Sequence, residues 1–195
     1  MDDHPDALAF TAFAGDRRIA AGDRRQVALA VKAAVDAGAS HVLAFEDASG
    51  RQLDFDLSGS AADVAARVAP APAGRGRPKL GVVPREVTLL PRHWEWLAQQ
   101  PGGASAALRR LVDQARKANA GADEARQARD AAYRLMSALA GDRPGFEDAS
   151  RALFAADFDR ALDQVATWPA DIADYLSGRL QIARHMHAAV AAEAG

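Results

Sequence analysis

Apolar positions recur along this chain with two different periods, and the changes of period divide it. Ala9 to Phe13 reads as a strand whose large apolar residues are Phe10 and Phe13. Their spacing of three puts them on opposite faces of a strand. Gly15-Asp16 is a turn signal, and Arg17 to Ala21 returns as a second strand. Asp23 is placed to cap a helix running to about Ala37, where Gly38 stops it. Val27, Val31 and Val35 recur every four residues beside Ala28, Ala30 and Ala34, which makes one apolar helical face. Val42 to Glu46 and Gln52 to Leu57 then predict a hairpin around Asp47-Ala48-Ser49-Gly50. In its second arm Leu53, Phe55 and Leu57 alternate with Asp54 and Asp56, so one face is buried and one is wet. Residues 8–69 thus read as a small α+β domain, an α/β sandwich-like unit.

Val68 to Gly74 is rich in proline, alanine and glycine, and predicts an extended linker; with the residues after it, it makes an extended basic arm over 70–84. Arg85 to Leu90 is a short β-like segment. Pro91 suits the first turn of a helix carrying Trp94 and Leu97, which ends at Pro101-Gly102-Gly103. Ser105 is a good N-cap for a second helix. There Leu108, Leu111, Val112 and Ala115 form an apolar stripe, with Arg109, Arg110, Arg116 and Lys117 on or near the other face. One strand and two helices cannot close a core alone, so residues 85–118 are expected to pair with a second copy. Residues 119–195 form an acidic helical bundle: helices over Ala122–Ala140, Phe146–Ala156 and Phe158–Trp168, and a last one from Pro169 to about Ala192. The fold class is therefore α+β, with a central strand-helix-helix between an N-terminal α/β unit and C-terminal helices.

Charge sharpens that division. The chain of 195 residues has 24 Lys+Arg and 26 Asp+Glu, a bland net −2. Residues 71–118, however, hold 9 basic and 3 acidic side chains, while both flanks are net acidic. A basic centre between acidic flanks is the asymmetry of a local polyanion-binding patch, or of a solvated linker and helix face. There is no cysteine, which excludes disulfides, thiolate catalysis and cysteine-based metal sites. No apolar run approaches a membrane span, and the N-terminus is acidic where a signal peptide would be basic. A cytoplasmic protein that does not engage membranes is the expectation.

Candidate chemistry is sparse. Asp54 and Asp56 share a strand face and could join Glu46 or Asp47 at a metal, but no histidine or glycine pattern completes such a site. His41 and His93 have no partner in sequence, and His185 and His187 point to different faces of a helix. The C-terminal aromatics, Tyr133, Phe146, Phe154, Phe158, Trp168 and Tyr175, read as bundle core or as the lining of a small-ligand pocket or partner groove. No P-loop or nucleophile elbow occurs. The expectation is a non-enzymatic protein with no cofactor and no metal.

The most specific signal is Arg75-Gly76-Arg77-Pro78-Lys79, which resembles the core of an AT-hook. Glycine lets the backbone press into a groove, proline keeps it extended, and the arginines follow the negative potential of a narrow A·T-rich minor groove. Residues 85–118 resemble a ribbon-helix-helix domain, through Val87-Thr88-Leu89-Leu90-Pro91, the Trp94/Leu97 helix and Gly103-Ala104-Ser105 opening Leu108-Arg109-Arg110-Leu111-Val112. That resemblance implies a homodimer whose paired strands enter the major groove, with the backbone at Ser105 and Ala106 on a phosphate. The strand departs from the pattern, being largely apolar, with Arg85 its only strong base-edge donor. The stretch from Gly76 to Trp94 also resembles a bacterial family of unknown function, domain of unknown function 2239. Together these imply a dimeric DNA-binding protein, a transcriptional regulator or nucleoid-associated factor favouring A·T-rich DNA. Its expected contacts are Arg75, Gly76, Arg77, Pro78, Lys79, Arg85, Thr88, Ser105, Arg109, Arg110, Arg116 and Lys117. The alternative is a dimerising module that binds another protein through residues 119–195.

Overall fold

The computed structural model describes residues 9–69, 81 and 83–193. The chain divides into two compact units, one formed by residues 1–70 with 121–195 and one by residues 71–120.

The larger unit is built on a four-stranded antiparallel sheet of order β2-β1-β3-β4. Its strands are β1 (Phe10–Ala14), β2 (Arg17–Gly22), β3 (Val42–Glu46) and β4 (Arg51–Leu53). Between β2 and β3 runs α1 (Arg24–Asp36), whose Asp23 and Gln26 form a reciprocal capping box. The two central strands are apolar on both faces, because each face is covered. Phe10, Ala12 and Ala44 pack on Val27, Ala28 and Val31 of α1. Phe13 and Phe45 point the other way, into Leu135, Met136, Leu176 and their neighbours. The three-residue spacing of Phe10 and Phe13 is therefore the mark of a strand between two helical layers.

Two local expectations in the N-terminal segment need correction. The second hairpin arm is shorter than its alternation predicts, since β4 ends at Leu53. Phe55 is still buried and Leu57 half-buried, but Asp56 accepts hydrogen bonds from Ser58 N and Oγ and turns the chain away from the sheet. A further helix follows that the hydrophobic pattern alone does not reveal, α2 (Ala61–Val68). It opens on a capping box, Ser60 with Asp63, and inserts Val64 beside Val27 in the core below the sheet. Ser60-Ala61-Ala62-Asp63 is itself the sequence signature of that box.

The opposite face of the sheet carries α5 (Ala120–Ala140), α6 (Phe146–Phe154), α7 (Phe158–Val165) and α8 (Ala170–Glu193). These match the expected helices closely. The break after α6 is fixed at Ala156, which takes a left-handed φ of 58° and ends the helix two residues early. Gly50, at φ 66°, brings the β3–β4 turn against α5; a Cβ there would lie 2.5 Å from the Ala131 carbonyl oxygen. Arg134 of α5 then donates to the Ser49 carbonyl at 2.8 Å, tying helix to hairpin.

The smaller unit contains α3 (Pro91–Ala98) and α4 (Gly103–Ala118). The β-like segment expected at Arg85–Leu90 is not a strand in the single chain: the described residues 83–90 carry no regular secondary structure. A strand exists only through a ladder partner, and this segment has none among the described residues. Ser105 is not the N-cap of α4. Gly102 and Gly103 both take positive φ, 82° and 76°, so the chain turns and the helix starts three residues earlier, with Gly102 as cap. Ser105 lies exposed in the first turn.

Candidate nucleic-acid interface

The smaller unit is where the expected DNA contacts gather. Arg75, Gly76, Arg77, Pro78 and Lys79 lie outside the described residues. Arg85, Thr88, Ser105, Arg109, Arg110, Arg116 and Lys117 are described, and all are exposed. On α4, Arg109 and Arg116 are seven apart, as are Arg110 and Lys117. Seven residues are close to two helical turns, so these four cations form two stacked rows on one side, each row spanning roughly 10 Å. Leu108, Leu111, Val112 and Ala115 take the other side. The amphipathic stripe therefore separates an apolar face from a mainly cationic one, on which Asp113 lies between the two rows.

Neither face is satisfied within the chain. Among the described residues, the ten ion pairs all belong to the larger unit, and Arg85, Arg109, Arg110, Arg116 and Lys117 enter none. The first turn of α4 has no side-chain cap and no acidic residue; Gly103 N–H donates to the Gln100 carbonyl at 3.0 Å, which leaves the next amide hydrogens, of Ala104 and Ser105, without a side-chain acceptor. The apolar face is equally open. Of the unit's described hydrophobic side chains only Leu97 and Ala107 are buried. Val83, Val87, Leu90, Trp94, Trp96, Leu111 and Val112 are all exposed. Leu89, His93, Trp96, Leu97, Leu108 and Leu111 line an open hollow of about 280 Å³. An apolar patch of this density on a small unit marks an interaction surface.

The larger unit contains a polar centre with no counterpart in the sequence reading. Asp47, just after β3, is buried and accepts from Thr11 Oγ1 at 3.1 Å and from the Tyr175 hydroxyl at 2.7 Å. Thr11 and Tyr175 are buried as well. Burial first, then the Asp47 carboxylate, push the Tyr175 phenol well above its ordinary value, so it stays a neutral donor. The Arg179 guanidinium lies over its ring at 5.7 Å. With all three partners out of water, the cluster clamps α8 to the sheet. Asp47 could not have been placed here from sequence, because it sits in a turn signal and its partner is 128 residues away. Asp54 and Asp56 are exposed, and among the described residues no three His, Asp or Glu side chains converge on a metal-sized point. His185 and His187 are both exposed on α8. No described helix is long and apolar enough to cross a membrane.

No curated protein and no solved structure matches this chain. A family model does match, over residues 9–180, which include the sheet, the strand-like segment and helices from both units. The chain belongs to that family, DUF2239, described as an uncharacterized protein conserved in bacteria.

Proposed function

We propose that this protein is a homodimeric DNA-binding protein, acting as a transcriptional regulator or nucleoid-associated factor. Two copies of residues 85–118 pair as a ribbon-helix-helix unit, and the Arg75-Gly76-Arg77 arm of each enters an A·T-rich minor groove. The observation that carries the reading is the two-faced α4: unpaired cations on one side, an uncovered apolar stripe on the other. A second copy supplies cover for the apolar side and a ladder partner for residues 85–90. The cations remain outside and contact phosphates.

The ribbon itself reads few bases in this account. Leu89 lines the hollow with Trp96 and Leu97, so it faces the helices. Alternation then turns Glu86, Thr88 and Leu90 outward, which leaves Thr88 as the one neutral hydrogen-bonding side chain on that face. Sequence preference falls to the arm, through groove width and potential. The test is a binding titration of the full chain on A·T-rich and G·C-rich duplexes at low salt. The expected preference for A·T is roughly tenfold, about 1.4 kcal/mol, and Arg75→Ala with Arg77→Ala removes it. Equal affinity for both duplexes, or an unchanged preference in the double variant, contradicts the arm. A dimer that binds neither duplex supports the second reading, a dimerising module whose partner is another protein.

A further inference from the structure

A hollow of about 280 Å³ opens where the start of α5, the α6–α7 corner and the last turns of α8 meet. Its floor is apolar, made by Leu153, Phe158, Ala183 and Val190. Its polar side chains are Arg126, Arg129 and His187, and Arg126 is already paired with Asp123 at 2.7 Å. No carboxylate lines it. That is a sharp contrast with a segment that is net acidic over residues 119–195.

The rim arginine nearest the floor is incompletely satisfied. Arg129 lies over the Phe154 ring at 5.3 Å and reaches Asp130, its neighbour in sequence, through Nη2 at 3.3 Å. Its Nε is buried and has no hydrogen-bond partner among the described residues. That Nε is out of reach of the hollow, but 36 % of the Arg129 side chain stays exposed, and a carboxylate oxygen is the acceptor that best suits its accessible guanidinium N–H groups. Phe154 keeps half of its surface exposed beside it, and the His187 ring lies tilted at 52° to Phe158, with centroids 5.8 Å apart. The aromatic walls suit a ring or short alkyl body, and the volume, near the lower end of ligand pockets, suits a small one.

We propose that this hollow binds a small amphipathic monocarboxylate, with its carboxylate on Arg129 and its apolar body on Phe158 and Val190. The helical region read from sequence as core or ligand lining thus does both: the aromatics near the sheet are core, and Phe154 and Phe158 border a site. The proposal stands apart from the DNA-binding reading, and its test involves no nucleic acid.

The test is isothermal titration of the full chain with phenylpropionate and, separately, with its neutral analogue phenylpropanol. Phenylpropionate is expected to bind at least about tenfold more tightly than the alcohol. Arg129→Met keeps the packing on Phe154 and is expected to bring the acid down to the affinity of the alcohol. Ala125→Phe fills the hollow and is expected to weaken both probes by a similar factor. The comparison of the two probes on the native chain needs no variant, so it holds even if a variant misfolds. No heat with phenylpropionate, equal affinity for the two probes, a carboxylate preference that survives Arg129→Met, or undiminished binding of both probes to the Ala125→Phe chain would overturn the proposal.

Discussion

The native chain is expected to sediment as a dimer, and a chain carrying Leu111→Glu and Val112→Glu as a folded monomer. Both side chains are exposed in the single chain, so the monomer loses little. In the proposed dimer both are covered. Covering them then means burying four carboxylates per dimer without partners, which costs at least about 3 kcal/mol. That is more than a hundredfold in the dimerisation constant. DNA affinity should fall with it, because a monomer brings half the cations to the duplex. Circular dichroism separates this outcome from unfolding, since the larger unit contributes most of the helix and does not use these residues. A double variant that remains a dimer would place the pairing surface elsewhere.

Asp47→Ala is expected to lower stability by about 2–4 kcal/mol, the largest loss from any single polar substitution in the larger unit. The change deletes two hydrogen bonds to a charged acceptor and leaves the buried Thr11 and Tyr175 hydroxyls unpaired. Tyr175→Phe removes only one bond and strands no hydroxyl, so it should cost roughly 1–2 kcal/mol. The same cluster gives the stability curve an alkaline edge. The Tyr175 pKa is raised in the folded chain, so its contribution is fully present below the unfolded phenol value of 10.0. Above that pH the unfolded chain ionises while the folded chain must keep its proton, and stability falls. Denaturant melts of the native chain should therefore steepen in their decline above about pH 10, and Tyr175→Phe should flatten that decline. Equal alkaline slopes for the two chains would mean that Tyr175 is not the titrating group.

What the sequence made legible was local. Strands with heavy residues at Phe10, Phe13 and Phe45, the cap at Asp23 and the helical stripes around Val27 and Leu135 are short-range patterns with one structural outcome each. The helix after Ser60 was equally local, but its apolar residues Val64 and Val68 are too few to announce a period, and only the capping box marks it. The start of α4 turned on a competition between two local signals. Ser105 is the better hydrogen-bonding cap, but the paired glycines at 102 and 103 can take positive φ and turn the chain first. The strand-like segment 85–90 was legible as β propensity but not as structure, because among the described residues it has no ladder partner. Nor could sequence join Asp47 to Tyr175, or Ser49 to Arg134. Those contacts depend on helices from the end of the chain packing on a sheet from its beginning, and no spacing rule reaches that far.

The central claim concerns charge, and salt tests it most directly. The affinity of the full chain for an A·T-rich duplex should be measured across a range of salt concentrations, with Arg126→Ala, in the larger unit, as a control. Neutralising about five phosphates predicts that log K falls against log salt with a slope of roughly −4 to −5. Removing Arg109 and Arg116 takes four cations from a dimer and should make that slope shallower by up to about 3.6, and the control should leave it unchanged. A flat salt response, or no binding at low salt, would contradict the account.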